Sequence, residues 1–255
     1  MQLRRSAYAP HRHDTYAVGI TTAGVQRFRY RGERRICLPG QLHVLHPDEL
    51  HDGGAATPDG FAYRILYVAP ELVRAALDGG PLPFVPEPVH DLTPAMRPLA
   101  EALADLDEPL GELAAASVAA AVADALNALG ERPAERRPAL DAAALEHVRE
   151  HLAAHAGEPA PAAELERIAG ADRFSIAREF RRAYGTSPDR YRTLRRLALA
   201  RAEIDAGEPL ARAAADAGFA DQSHLTRQFK RAYGLTPARW AALTGARTTR
   251  TRLPR

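Results

Sequence analysis

ADRFSIAREFRRAYGTSPDRY, residues 171–191, and ADQSHLTRQFKRAYGLTPARW, residues 220–240, are identical at ten of 21 aligned positions. Shortly before each stretch a glycine can end a short helix, and the aspartate at the second position can cap the next helix. Apolar residues recur in that next helix at i, i+4 and i+7, which predicts one buried stripe and a polar outer face. Two units are too few for a solenoid, so we interpret them as a duplicated supersecondary element.

The order within each copy, short helix, glycine turn and second helix, is typical of the helix-turn-helix motif. The outer faces of the second helices carry Arg, Lys, Gln, Ser and Thr, which can neutralise phosphate or match base edges in the major groove. One such hairpin would be weak evidence, but two in register predict DNA binding. Residues 188–206 between the copies read as one helix of ~28 Å, which could hold two DNA-contacting helices about one duplex turn apart.

The net charge of +2 hides an uneven distribution along the chain. Residues 1–140 carry 14 Lys and Arg against 18 Asp and Glu, whereas residues 141–255 carry 20 against 14. The basic back half favours a nucleic-acid surface there, although a basic surface that is merely solvated would give the same count. All but one of the 34 basic residues are arginine, which we interpret as compositional bias.

The front half has the composition of a small β-domain followed by helices. Short β-rich segments with Gly and Pro between them predict a barrel or sandwich. Two helices are predicted after it, at about residues 94–106 and 110–129. The apolar stripe of the second suits packing on its own β-domain or self-association, and both interpretations stay open. The predicted strands are residues 15–22, 24–30, 35–38, 41–45 and 61–68. Residues 29–34 predict the tip of a hairpin, and the residues around His51 indicate a loop.

Six of the ten histidines lie in residues 1–90. His11 and His13 are two apart, so on a strand they would share one face. Imidazoles gathered in this way could bind a divalent metal, line an organic-ligand pocket, or only form hydrogen bonds at a pocket mouth. We favour the absence of a metal, since no carboxylate follows His13 at ligand spacing. The candidate effector-binding residues are His11, His13, Tyr16, His46, His51 and Tyr63, with Tyr67 as a further aromatic contributor.

The composition of the chain and the positions of its prolines and glycines indicate two domains. The charged segment ALGERPAERRP, which ends at residue 138, predicts a linker. No apolar run approaches the ~20 residues of a membrane span, the N-terminus has no signal-peptide core, and Cys37 is the single cysteine. These features predict a cytoplasmic protein without a membrane partner. The predicted boundaries are residues 1–130 for a sensor domain, 131–140 for the linker, 141–245 for a DNA-binding domain and 246–255 for a basic tail.

From about residue 141 to residue 243 the sequence resembles the AraC/XylS family of bacterial transcription regulators. The resemblance rests on the repeat, the connecting helix and the segment AGEPLARAAADAGFADQSHLTRQFKRAYGLTPARW, residues 206–240. HRHDTYAVGITTAGVQRFRYRG and LPGQLHVLHPDELHDG, in the front half, resemble the cupin-type sensor of the same family. The implied fold is α+β and multidomain. A cupin-like β-barrel followed by helices precedes an all-α domain of seven helices, with two helix-turn-helix motifs joined by a long helix.

The resemblance also implies roles for individual residues, carried over by position. Base-reading candidates in the first copy are Arg173, Phe174, Ala177 and Arg178. Those in the second copy are Gln222, Ser223, Thr226 and Arg227. Implied phosphate contacts are Arg182, His224, Lys230, Arg231 and Arg239. In the family the barrel binds a small effector and the following helices can dimerise.

These observations predict a sequence-specific DNA-binding transcription factor that responds to a small-molecule effector and is not an enzyme. The expected partners are double-stranded DNA, an effector of unknown identity, RNA polymerase and a second copy of the chain. No cofactor is expected. One alternative is a metal-dependent cupin enzyme using His11, His13 and His51, with an accessory helical domain. Another is an adaptor whose helices bind protein partners.

Overall fold

The structure is a computed structural model of the chain, which forms two compact units. The first unit is Met1–Gly111 with Ala115–Pro138, and the second is Glu112–Ala114 with Ala139–Arg255. Most of the predicted linker and all of the predicted basic tail lie outside the described residues. The structure describes residues 2–3, 8–104, 110–131 and 140–244.

The first unit is built on nine described strands in two antiparallel sheets. One sheet has the order β1-β8-β3-β6-β9, and the other has the order β2-β7-β4-β5. The strands are β1 (Gln2–Leu3), β2 (Tyr8–His11), β3 (Tyr16–Gly24), β4 (Gln26–Tyr30), β5 (Glu33–Cys37), β6 (Leu42–Leu45), β7 (His51–Ala55), β8 (Phe61–Val68) and β9 (Val89–His90).

The prediction of a closed barrel needs correction. Among the described strands, no hydrogen-bonded ladder joins an edge of one sheet to an edge of the other. The edge strands of the five-stranded sheet, β1 and β9, have two residues each, so they offer too few backbone groups for a closing ladder. The unit therefore has two sheets rather than a closed barrel.

The predicted hairpin between β4 and β5 is confirmed, and its turn has a local cause. Arg31 and Gly32 have φ angles of 50° and 81°, the left-handed values that a two-residue hairpin turn of the I′ type uses. Along β4 the burial alternates residue by residue. Phe28 and Tyr30 are buried, while Arg27 and Arg29 are exposed on the opposite face.

Three α-helices and one short 3-10 helix, Pro94–Met96, complete the described part of this half. The α-helices are α1 (Pro70–Ala76), α2 (Arg97–Ala104) and α3 (Glu112–Leu129). In the described chain α3 is one helix that is long and apolar enough to cross a membrane, and 56% of it is buried inside the structure. The core helix of a soluble protein has the same length and composition. Of the predicted stripe, Val122 and Leu126 are buried within the chain, as expected if α3 packs intramolecularly.

The described part of residues 140–244 forms seven helices, as the resemblance implied. The predicted connecting helix, residues 188–206, agrees with the structure to within one residue. The helices are α4 (Ala142–Ala154), α5 (Ala162–Ala169), α6 (Arg173–Tyr184), α7 (Pro188–Asp205), α8 (Leu210–Asp216), α9 (Gln222–Tyr233) and α10 (Pro237–Thr244).

Each copy of the repeat contributes to its own apolar cluster. Ile176 and Phe180 of α6 are buried in one cluster, and the equivalent Leu225 and Phe229 of α9 are buried in the other. The third residue of the predicted buried stripe in α6 is not buried. Ala183 is exposed and lies two residues before the glycine that ends the helix. Helix α7 packs Tyr191 against the first cluster and contributes Leu197 and Ile204 to the second.

Candidate nucleic-acid interface and effector site

Caps and glycines fix where the two repeated helices begin and end. The Asp172 carboxylate accepts hydrogen bonds from the backbone N–H groups of Phe174 (2.9 Å) and Ser175 (3.0 Å) at the start of α6. Asp221 accepts one from the His224 N–H (2.6 Å) at the start of α9. Gly185 (φ 69°) and Gly234 (φ 79°) end these helices in the left-handed conformation. Both helices are thus fixed at both ends in the same way.

The aromatic residues of the repeat occupy equivalent positions in the two copies. In the first, the Phe180 ring lies 4.5 Å from Tyr184 and 5.6 Å from Tyr191, centroid to centroid. In the second copy, Phe229 lies 4.5 Å from Tyr233 and 6.0 Å from Trp240. Each copy therefore joins its second helix to the helix that follows it through an aromatic triplet. The duplication seen in the sequence is also present in the packing.

Helix α9 presents a mostly exposed polar face. Its hydroxyl-bearing Thr226 is half-buried and donates a hydrogen bond to the Gln222 carbonyl (2.8 Å). The His224 ring is also half-buried and packs edge-on against Phe219 at 5.1 Å, so it helps to hold the turn before the helix. The predicted DNA-contacting residues of this helix that are exposed are Gln222, Ser223, Arg227, Lys230 and Arg231.

Helix α6 presents a smaller polar face. Ala177 is completely buried, so its side chain is not on the outer face where the family comparison placed it. The Arg173 guanidinium forms a two-pronged ion pair with Glu166, with Nε–Oε1 at 2.8 Å and Nη2–Oε2 at 3.2 Å. This pair raises the pKa of Arg173 and lowers that of Glu166. Phe174 and Arg178 are half-buried.

The remaining predicted contact of α6, Arg182, is exposed but lies beside a carboxylate. Its Nη1 is 3.1 Å from Oε1 of Glu179, whose own side chain is largely buried. Two of the first copy's candidate arginines, Arg173 and Arg182, thus have intramolecular carboxylate partners. Neither feature could be read from the repeat alone, because Glu166 precedes the repeated stretch and Glu179 is replaced by Gln228 in the second copy.

In the first unit, three of the predicted effector residues come together. The His51 ring lies 4.4 Å from His11 and 4.7 Å from His13, and the His11 and His13 rings are 6.2 Å apart. Tyr67 extends this histidine cluster, with its ring 5.2 Å from that of His13. His51 begins strand β7 rather than lying in the loop that the sequence indicated, and β2 pairs with β7 at His11.

Backbone contacts determine the tautomer of all three imidazoles. Nδ1 of His11 faces the Ala9 carbonyl (3.0 Å), that of His13 faces Thr15 (2.8 Å), and that of His51 faces Glu49 (2.9 Å). A carbonyl oxygen can only accept, so each Nδ1 carries a proton, and the neutral form of each ring has its lone pair on Nε2. The Nε2 of His13 is buried and lacks a hydrogen-bond partner among the described residues. Within the histidine cluster, Nε2 of His13 is therefore available to accept a hydrogen bond from a ligand.

Of the three imidazoles, His51 has a pKa that its surroundings hold below the usual value. Burial is the main cause that lowers the pKa of His51, and any positive charge on His11 or His13 lowers it further, although the Glu49 carbonyl acts in the opposite direction. Among the described residues, no group of three or more His, Cys, Asp or Glu side chains is arranged to hold a metal ion.

The other predicted effector residues lie elsewhere in the unit. Nε2 of His46 accepts a hydrogen bond from the Val85 N–H (3.1 Å), and the Tyr16 hydroxyl donates to the Pro83 carbonyl (3.5 Å). These two rings are 5.2 Å apart and hold the segment before β9. Tyr63 is buried and stacked on Phe61. The six candidates therefore form more than one group.

Two further residues near these groups were not predicted. His43 is fully buried within β6, and Tyr8 lies across Gly53, where a side-chain carbon would come within 2.1 Å of the tyrosine ring. For His43, the signal in the sequence was Gly19. A Cβ at Gly19 would approach the His43 ring to 2.5 Å, so the glycine leaves the space that His43 fills.

Two family profiles match the chain. Residues 2–129 match the AraC-like ligand binding domain, and residues 165–242 match a helix-turn-helix domain. The chain is also 25% identical, over 234 residues, to the uncharacterized HTH-type transcriptional regulator YbfI of Bacillus subtilis (strain 168). That alignment covers 84% of this chain and 79% of the relative.

Solved structures show more distant similarity. A probable AraC family transcriptional regulator from Rhodopseudomonas palustris CGA009 is 24% identical with a TM-score of 0.38, over 40% of this chain and 98% of that one. Wild-type ToxT from Vibrio cholerae strain SCE256, crystallised with an unsaturated fatty acid, is 12% identical with a TM-score of 0.37, over 93% of this chain and 91% of that one. Neither similarity identifies a ligand for this chain.

Proposed function

The chain belongs to the AraC family of transcriptional regulators, and from this premise we propose that it regulates promoters by sequence-specific DNA binding in response to a small effector. Helices α5 and α6 form one helix-turn-helix module of the proposed reader, and helices α8 and α9 form the other. The observation that carries the proposal is the exposed face of α9, whose amide, hydroxyl and cationic side chains suit base edges and phosphates.

We propose that the two modules contribute unequally to base recognition. The second module has Gln222 and Arg227 exposed on α9, and these side chains can make two-pronged contacts with adenine and guanine, respectively. In the first module Ala177 is buried and Arg173 is paired with Glu166, which leaves less for direct base reading. The first module then mainly holds the DNA backbone, and most base discrimination comes from α9.

Helix α7 sets the distance between the modules. Its 18 residues extend ~27 Å at ~1.5 Å per residue, compared with ~34 Å between successive major-groove faces on one side of a duplex. Both apolar clusters include residues of α7, so the helix is packed along its length. We propose that it holds α6 and α9 in successive turns of one major groove.

The proposed effector site is the histidine cluster, His11, His13 and His51, together with Tyr67. Its Nε2 lone pairs favour an effector that donates hydrogen bonds through hydroxyl or amino groups. Effector binding would shift the population of DNA-binding conformations, which could also involve a second copy of the chain or RNA polymerase. A cytoplasmic location follows from this role, because the promoter lies there.

Salt dependence tests the DNA-binding part of this proposal. We expect the full chain to bind a labelled duplex of ~40 base pairs with log K falling linearly against log salt, at a slope of about −4 for four to five phosphate contacts. The measurement is fluorescence anisotropy across a salt series, with a single-stranded oligonucleotide of the same sequence as control. Absent binding, or duplex binding that does not respond to salt, would contradict the proposal.

A further inference from the structure

We propose that the outer face of the four-stranded sheet carries a binding site for a small multivalent anion, held by Arg27, Arg29 and Arg34. This arginine patch lines a cleft of about 350 Å³, a size within the ~300–1,000 Å³ range of small-molecule sites. The site is separate from the histidine cluster and does not depend on the proposed effector.

Strand register places the three arginines on one face. Arg29 pairs with Arg34 across the β4–β5 ladder, and Arg27 is two residues from Arg29 on β4, so all three side chains point the same way. All three are exposed. Tyr30 follows Arg29 on β4 and is paired with His51 of β7. Both residues are buried, on the opposite face of the sheet. The arginine patch and the histidine cluster therefore lie on opposite faces of one sheet.

Among the described residues, the three patch arginines carry more positive charge than Asp52, the carboxylate that lines the same cleft, can balance. Other arginines of this region are paired, Arg31 with Glu49 at 3.0 Å and Arg35 with Glu33 at 2.8 Å. None of the three patch arginines forms an ion pair with a carboxylate in the part of the chain that the structure describes. The nearby Asp52 instead accepts a hydrogen bond from the backbone N–H of Arg29 (2.6 Å).

Such an arrangement is unfavourable unless a ligand compensates for it. Like charges directly opposed across an antiparallel pair, as Arg29 and Arg34 are, destabilise a sheet. The patch also lies in the basic end of an otherwise acidic half: residues 1–37 carry eight arginines against two carboxylates, and residues 38–140 carry six against sixteen. An anion in the cleft would remove the repulsion.

The shape and the donors of the cleft indicate the class of ligand. Gly54 lies opposite Arg27 in the β4–β7 ladder and has no side chain to fill the face between the strands. Guanidinium groups form paired hydrogen bonds with carboxylate or phosphate oxygens. Three guanidinium groups outnumber the single carboxylate of Asp52 in the lining of the cleft, so a ligand with two or more anionic groups fits best.

The test uses the full chain, with pyrophosphate and citrate as probes and acetate at equal ionic strength as the monovalent control. Isothermal titration is expected to show saturable one-to-one binding of at least one multivalent probe, and the tighter of the two identifies the phosphate or the carboxylate class. In Arg29→Gln/Arg34→Gln the affinity should fall at least tenfold. In Arg74→Gln/Arg97→Gln, which removes equal charge from exposed arginines of the same half, it should change less than twofold.

Several results would overturn the proposal. These are no saturable binding of either probe, equal losses in the two double variants, or binding that survives in Arg29→Gln/Arg34→Gln. Loss of duplex affinity in that variant without any small-anion binding would mean that the patch contacts DNA phosphates instead. Misfolding is checked by the thermal midpoint, which should stay level or rise in the patch variant because the repulsion between Arg29 and Arg34 is removed.

Discussion

Replacing Arg227 by alanine is expected to weaken binding to a preferred duplex by about 1–3 kcal/mol, roughly 5- to 150-fold, and to relax specificity at one base position. The reason is its exposed position on α9, from which a guanidinium can reach a guanine edge. The measurement is anisotropy at fixed salt, with the best duplex selected by the wild-type chain and its single-base variants.

Two further variants make this expectation specific. Arg173→Ala should change affinity much less, within about threefold, because Glu166 already engages that guanidinium at 2.8 Å. Arg74→Ala, which removes a charge from α1 in the first unit, is the control for net charge. If Arg227→Ala binds as the wild type does, or if Arg173→Ala loses as much, the proposed division between α6 and α9 is wrong.

Acidification is expected to destabilise the first unit through His43. Burial lowers the pKa of His43 from 6.5 to about 4, with His51 adding to the effect, and its Nε2 has no hydrogen-bond partner among the described residues. The groups near the ring include Cys37, Phe28 and Tyr63. Burial raises the pKa of the Cys37 thiol, so it stays protonated and does not balance the charge of an imidazolium. A protonated His43 is therefore tolerated in the unfolded chain but not in the folded one.

The sign and size of the pH effect follow from these values. Above about pH 6.5 His43 is neutral in both states and its full contribution to stability is present; between pH 6.5 and 4 only the unfolded chain takes up the proton. The loss amounts to about 2 kcal/mol by pH 5. Urea unfolding of wild type and His43→Met at pH 7 and pH 5 checks this, and NMR titration of the His43 ring measures its pKa directly. An equal pH dependence in both proteins would contradict the assignment.

The helical half was largely predictable because the residues that start and end its helices act locally. Asp172, Gly185 and Ser187 each act on their own turn of the chain, so the caps and the ends of α6 and α7 could be located from single residues. The partners of Arg173 and the burial of Ala177 could not, because they depend on how helices pack. The repeat therefore fixed the helix boundaries but not which outer side chains are available to DNA.

The sheet half was less predictable because its contacts are between distant segments. The strand segments could be predicted from the alternation of apolar and polar residues, and the β4–β5 turn from Gly32. The sheets fail to close because the edge strands of the five-stranded sheet have two residues each, too few to show a hydrophobic pattern. His11 and His13 were expected to share a face, and their meeting with His51 depends on the β2–β7 register. His46 and Tyr16 lie apart from that cluster because they bond to the segment at Pro83 and Val85, which carries no clear pattern in the sequence.

Selection from random DNA tests whether this chain recognises a specific base sequence. The full chain, and Arg227→Ala as its matched variant, are used to retain duplexes from a random pool, and the enriched sequences are read. We expect one motif with two blocks centred about 10 base pairs apart, and weaker selection at one position of one block in the variant. A protein that retains no duplex, or that enriches no sequence over the starting pool, would contradict the account of this chain as a sequence-specific regulator.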